Sequence, residues 1–111
     1  MTDLELTERV AQWLGYDEPT TLQRYDGIRE VNIRVDNEWF VFDPLNDKND
    51  LWMVLEKLID THEIKITLGI NKDWKLFELW NNKNYELAKV GFFTDLPRTV
   101  CELVAELEVK E

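Results

Sequence analysis

The sequence predicts an α+β fold in which helices pack on an antiparallel sheet of three to five strands. Two stretches, 47–61 and 94–108, repeat apolar residues at helical spacing. Three shorter stretches between them have strand length and are separated by Asn-containing turns. Residues 44–111 therefore read helix, strand, strand, strand, helix. A further helix and a strand pair come before them. The 111 residues suit one domain, 1–111, since no linker, repeat or low-complexity segment divides them. Its parts are an N-terminal helix and connector (1–27), a strand pair (28–43) and the helix–three-strand–helix unit (44–111).

The opening helix has Thr2 as N-cap and Glu5 as its reciprocal partner, a capping-box pattern. Leu6, Val10, Trp13 and Leu14 fall on one face. Gly15 sits where a left-handed cap would end the helix. The connector "YDEPTTLQRYDG" contains Pro19 and Gly27 and is expected to be the segment of greatest local mobility.

Val31, Ile33 and Val35 alternate with Asn32 and Arg34, as a half-buried strand requires. Asp36-Asn37 suits a tight turn into a second strand, Glu38 to Phe42. "WFVF" is apolar on both faces, so one face meets the core and the other needs cover, expected from within the chain. Pro44 then ends the extended run.

Asn46 or Asp47 can cap the second helix, and Asp47 and Asp50 favour its positive end. Leu51, Leu55, Leu58 and Ile59 share a face that Trp52 and Val54 widen, and the helix should reach about Thr61. "EIKITLGI" follows, with Ile64, Ile66, Leu68 and Ile70 on one side. "NKD" (71–73) makes a hairpin connection to "WKLFELW". There Trp74, Leu76, Glu78 and Trp80 oppose Phe77 and Leu79. "NNKN" (81–84) is a second turn, and "YELAKVGFF" is the third strand. Thr94 or Asp95 caps the closing helix, Pro97 fits its first turn, and Val100, Leu103, Val104 and Leu107 form its apolar stripe. Leu55, Ile66 and Leu103 are expected to meet in one interior.

Net charge is −10, from 23 acids and 13 bases spread along the chain, and no like-charge block resembles an acidic tail. Such a surface repels phosphate backbones and argues against nucleic-acid partners. It suits solvation, contact with a basic protein, or imitation of DNA. One cysteine, Cys101, cannot form an internal disulfide. "MTDLELTERV" lacks the basic region and apolar core of a signal peptide, and no apolar run approaches a membrane span. The expectation is a cytoplasmic protein with no membrane partner.

Chemistry-bearing patterns are sparse. His62 is the single histidine, which argues against the common zinc spacings. The chain contains no Ser, so a Ser-His-Asp triad is impossible. A Cys101–His62 thiolate–base pair is conceivable. Cys101 nevertheless lies beside the apolar stripe and reads as buried and inert, and His62 reads as a cap for the second helix's last carbonyls. Asp43, Asp47 and Asp50 are hard oxygen ligands in kind but lack calcium-loop spacing, so capping and solvation explain them. The four glycines form no phosphate-cradling loop. The tryptophans fall at positions the patterns assign to a core. No catalytic, metal-binding or cofactor-binding residue is assigned, and no cofactor is expected.

Two features look familiar together. "DLWMVLEKL" places Trp52 ahead of Glu56-Lys57-Leu58, and "TDLPRTVCELVAEL" sets Pro97 four residues before Cys101. They resemble the phage ABA sandwich domain, a small domain of phage and prophage proteins. Its members have a Trp-bearing Glu-Lys-Leu helix, a strand meander and a closing helix opened by Ala-Pro-Leu and followed by a Cys. The first helix, with Trp13 and Gly15 near its end, is similar too. The sequence departs from the family at Pro44-Leu45-Asn46-Asp47, where members often have Pro-Tyr-Ser-Thr-Asp. The resemblance implies a phage or prophage context and no chemistry. A second likeness is of element order alone. Double-stranded RNA-binding domains share it, but they use basic residues where this chain has "TDLPRT".

The leading expectation is a small acidic phage-type accessory protein, a non-enzymatic module that binds another protein or itself. Trp39, Phe40 and Phe42 are the candidate contact residues. The alternatives are an acidic DNA-mimicking decoy acting on a host DNA-binding protein, and an enzyme with an unrecognised site.

Overall fold

Each turn of this chain hands it from a helix to a strand group and back. In the computed structural model, which describes residues 1–16, 18–69 and 75–110, the order is α1 (Asp3–Leu14), β1 (Thr20–Gln23), β2 (Arg29–Val35), β3 (Glu38–Val41), α2 (Lys48–Leu58), β4 (His62–Leu68), β5 (Lys75–Asn81), β6 (Leu87–Phe92) and α3 (Leu96–Lys110). The fold is α+β. Among the described residues, three helices accompany two three-stranded antiparallel sheets, sheet A (β1-β2-β3) and sheet B (β4-β5-β6).

The expected single sheet is therefore corrected to two. The strand pair of 28–43 does not extend the later meander. It gains β1 instead, which forms inside the segment read as a mobile connector and pairs Thr20 with Asn32 through Gln23 with Arg29. The sequence hides β1 because "TTLQ" is four residues long with one apolar member, so its order comes from its partner strand. The turn beyond it is closed by Arg24 N–H donating to the Ile28 carbonyl (2.7 Å), with Gly27 at φ 90°. Arg24 also pairs with Asp26, and with Glu30 at 2.8 Å.

Helix starts follow the sequence closely. Thr2 Oγ1 accepts from Glu5 N–H (3.2 Å), and Gly15 closes α1 at φ 100°. Asp47 Oδ1 accepts from Asn49 N–H (2.8 Å) and Asp50 N–H (3.3 Å) at the start of α2. Asp95 Oδ1 accepts from Arg98 N–H (3.3 Å) at the start of α3. The β2–β3 turn is the expected one. Asp36 (φ 51°) and Asn37 (φ 68°) are both left-handed and join Val35 to its partner Glu38. The β5–β6 turn lies where "NNKN" places it, although its left-handed residue is Tyr85 (φ 57°). The "NKD" connection, Ile70 and Trp74 lie outside the described residues.

The helices link the sheets. Helix α1 packs on β1 and β2 and also on α2 and α3. Sheet B meets α2 and α3 through Ile64 and Phe77, and Lys89 of β6 reaches Glu106 of α3 (2.9 Å). One buried cluster takes Leu6 and Val10 from α1, Ile33 and Phe42 from the sheet A side, and Val54 and Leu58 from α2. Phe77 and Leu79 of β5 and Val100, Leu103 and Val104 of α3 complete it. Asp3 and Arg98 pair across α1 and α3 (2.6 Å), and Lys57 lies over the Trp13 ring (4.5 Å).

Three core expectations change. Leu103 is buried and Leu55 packs against the cluster, but Ile66 is 47% exposed. Trp52 is 60% exposed rather than in the core. Ile59 is half-exposed beyond the last turn of α2. No helix of the described residues is long and apolar enough to cross a membrane.

Candidate functional site

The groups that could do chemistry are each occupied structurally. Cys101 is fully buried in α3, and burial pushes its thiol up to about 12, far from a reactive thiolate. His62 opens β4, nearly buried, with Nδ1 2.8 Å from Thr61 Oγ1. Burial lowers its pKa below the usual histidine value. It does not cap α2, a correction to the expected role. Thr61 Oγ1 reaches the Leu58 carbonyl (3.4 Å) and Asn82 Nδ2 the Ile59 carbonyl (3.4 Å), so short polar side chains in the turns do that work.

The acidic loop before α2 is a hydrogen-bonded turn. Asp43 N–H donates to Asp50 Oδ2 (2.9 Å), and Asn46 Nδ2 donates to the Asp43 carboxylate (3.0 and 3.2 Å). Asp47 is the cap. Burial raises the pKa of Asp50 above the ordinary aspartate value, the Asp43 N–H bond opposes this, and the Asp47 and Asp43 charges add to it. Among the described residues, no three His, Cys, Asp or Glu side chains converge as a metal set. A cleft of about 410 Å³ lies between the start of α1, sheet A and this loop. Its Arg24 and Asp43 are held by the partners already named.

What remains is exposed apolar surface. Residues opposite each other in an antiparallel ladder point to the same face. Val31 pairs across to Phe42 through its carbonyl, and Ile33 pairs with Phe40, so these four side chains share the inner face of sheet A. Asn32 pairs with Val41 and with Thr20, and Arg34 pairs with Trp39, so those side chains and Leu22 share the outer face. Trp39 is 51% exposed, and Val41 and Leu22 are about equally so. The cover expected for this second face is not supplied by the described residues.

Of the three residues singled out in the sequence, Trp39 stands on the outer face and Phe40 is half-exposed on the inner one. Phe42 is 1% exposed, with its ring 6.4 Å from that of Tyr16, so it belongs to the core. Val41 and Leu22 were missed. The two-residue spacing from Trp39 to Val41 was visible, whereas Leu22 joins them only because β1 pairs with β2. The backbone is also available here. Phe42 N–H donates to the Val31 carbonyl (2.8 Å), which by alternation turns the Trp39 and Val41 peptide groups toward the free edge of β3.

Comparison with protein-family models, with curated proteins and with solved structures finds no match for this chain.

Proposed function

We propose that this is a small non-enzymatic module of phage or prophage type that binds another protein in the cytoplasm, with β3 of sheet A as the contact. The observation that carries the reading is Trp39 and Val41 exposed on the outer face of β3 beside its open strand edge. An exposed Trp is among the side chains that most often anchor a protein contact, and here Arg34 stands beside it. An open edge accepts an extended segment by strand addition. The net charge of −10 favours a partner with basic residues around its apolar anchor. The phage context rests on the resemblance carried by Trp52, Glu56, Lys57, Leu58, Pro97 and Cys101.

The test is capture from phage-infected lysate with wild type and Trp39→Asp, at low and high salt. Wild type should retain its partner at high salt, and Trp39→Asp should weaken capture by at least about 30-fold with an unchanged circular dichroism spectrum. Loss of the folded spectrum would return Trp39 to a structural role. Capture that disappears with salt and is confined to DNA-binding proteins would favour the DNA-mimicking decoy instead.

A further inference from the structure

Sheet B has two edge strands, β4 and β6, and both carry exposed apolar side chains, Ile66 and Leu68 on β4 and Leu87, Val90 and Phe92 on β6. The backbone polarity of β4 can be derived. Phe93 N–H donates to the Lys75 carbonyl (3.0 Å), so Lys75 and, by alternation, Phe77 and Leu79 bond toward β6. Leu76, Glu78 and Trp80 then bond toward β4, to Thr67, Lys65 and Glu63. Asn82 N–H donating to the Thr61 carbonyl (3.0 Å) fits the same alternation. His62, Ile64, Ile66 and Leu68 therefore turn their N–H and C=O groups to the free edge. Their side chains are on the inner face, where Ile66 and Leu68 are about half-exposed. Beside them runs a groove of about 180 Å³ lined by Trp52 and Leu55 of α2, by Ile59 just beyond it, and by Ile64, Ile66 and Phe77 of sheet B.

We propose that a second copy of this chain pairs antiparallel with β4 about a two-fold axis at Ile64, joining two sheets B into one. The register follows from charge. With the axis at Ile64, Glu63 of each copy faces Lys65 of the other on the outer face, twice by symmetry. With the axis at Lys65, two lysines face each other. With the axis at Ile66, Lys65 faces Thr67 and Glu63 faces Gly69, and neither charge meets an opposite one across the seam, although Lys65 keeps Glu78 opposite it and the Trp80 ring (5.8 Å) within its own sheet. Registers shifted by one residue would mix inner and outer faces. The Ile64 axis also sets Ile66 beside His62 of the other copy. It brings the two α2 helices to the same side of the joined sheet, where Trp52 and Ile59 gain cover. Charges on an edge strand ordinarily discourage pairing. Here Glu63 and Lys65 oppose the Lys65 register, leave the Ile66 register without gain and favour the Ile64 one. The inference concerns sheet B alone and stands apart from the contact proposed for sheet A.

The experiment is sedimentation equilibrium of the full chain from about 1 µM to about 1 mM, the range of weak to moderate association, with amide hydrogen exchange at both ends of it. Wild type should reach twice the 13.3 kDa chain mass. Amides of Ile64 and Ile66 should gain protection with concentration, while those of Lys65 and Thr67 are protected throughout. Glu63→Lys should raise the dimer dissociation constant about tenfold by turning two attractive pairs repulsive, and adding Lys65→Glu should restore it. Trp39→Asp should leave the dimer unchanged, so this inference and the proposed function fail separately. A monomer at every concentration, or a dimer indifferent to Glu63→Lys, would overturn the proposal.

Discussion

Sheets A and B are both three-stranded antiparallel meanders, and each buries its central strand, through Val31 and Ile33 in one and Phe77 and Leu79 in the other. They part company at their edges. Beyond β3 the chain turns inward, and Phe42 and Pro44 enter the interior, so apart from Phe40 the exposed apolar residues of sheet A, Trp39, Val41 and Leu22, lie on its outer face. In sheet B exposed apolar side chains stand on both faces: Leu87, Val90 and Phe92 of β6 on the outer one, and on the inner one exposure rises along β4 from His62 through Ile64 to Ile66 and Leu68. The reason is the seating of α2. Trp52 and Leu55 stand beside Ile64 and Ile66, but a groove of about 180 Å³ stays open between helix and strand. Strand alternation defines a face, but the seating of the covering helix decides how much of it is buried.

The largest expected effect comes from truncating an enclosed inner-face residue of sheet B, set against an open one. Phe77→Ala should cost about 3–5 kcal/mol, because the ring is fully enclosed and meets Phe93 edge-on at 6.3 Å. Ile66→Ala, on the adjacent strand and the same face, should cost under about 1 kcal/mol in the monomer. Denaturant midpoints measured at low protein concentration check both. Equal losses would mean that β4 is covered along its whole length.

A middle-sized effect tests the helix responsible for the difference. Asp47→Ala removes the cap of α2 and should cost about 1 kcal/mol. Denaturation followed by tryptophan fluorescence and by circular dichroism should shift equally, because α2 contributes Val54 and Leu58 to the cluster that both sheets share.

The smallest effect is a pH dependence at the covered start of β4. His62 has its pKa lowered by burial, so its neutral form is the one the fold accommodates. Its contribution is present above the unfolded value of about 6.5 and is lost as pH falls through the lower folded value. Stability should drop by less than about 1 kcal/mol across that window, and His62→Gln should flatten the drop. A His62 near the strand's exposed end would show no such dependence.

Much of the local structure was legible. Thr2, Gly15, Asp47, Asp95 and the Asp36-Asn37 turn do what their chemistry predicts, because caps and tight turns are satisfied within a few residues. That one face of β3 would carry an exposed Trp39 was legible because "WFVF" is apolar on both faces. Phe42, Trp52 and Ile66 were misplaced for one reason. Periodicity assigns a side chain to a face without saying whether another element lies over it.

Among the described residues, the amino-acid order is enough for the helices, five of the six strands and their hairpin neighbours, since these depend on contacts between residues close in the chain. Only the tertiary structure decided that the strands divide into two sheets, that "TTLQ" becomes the third strand of sheet A, and which edges stay open. Those outcomes depend on where α1, α2 and α3 come to rest, and helix placement is settled by packing between residues far apart in sequence.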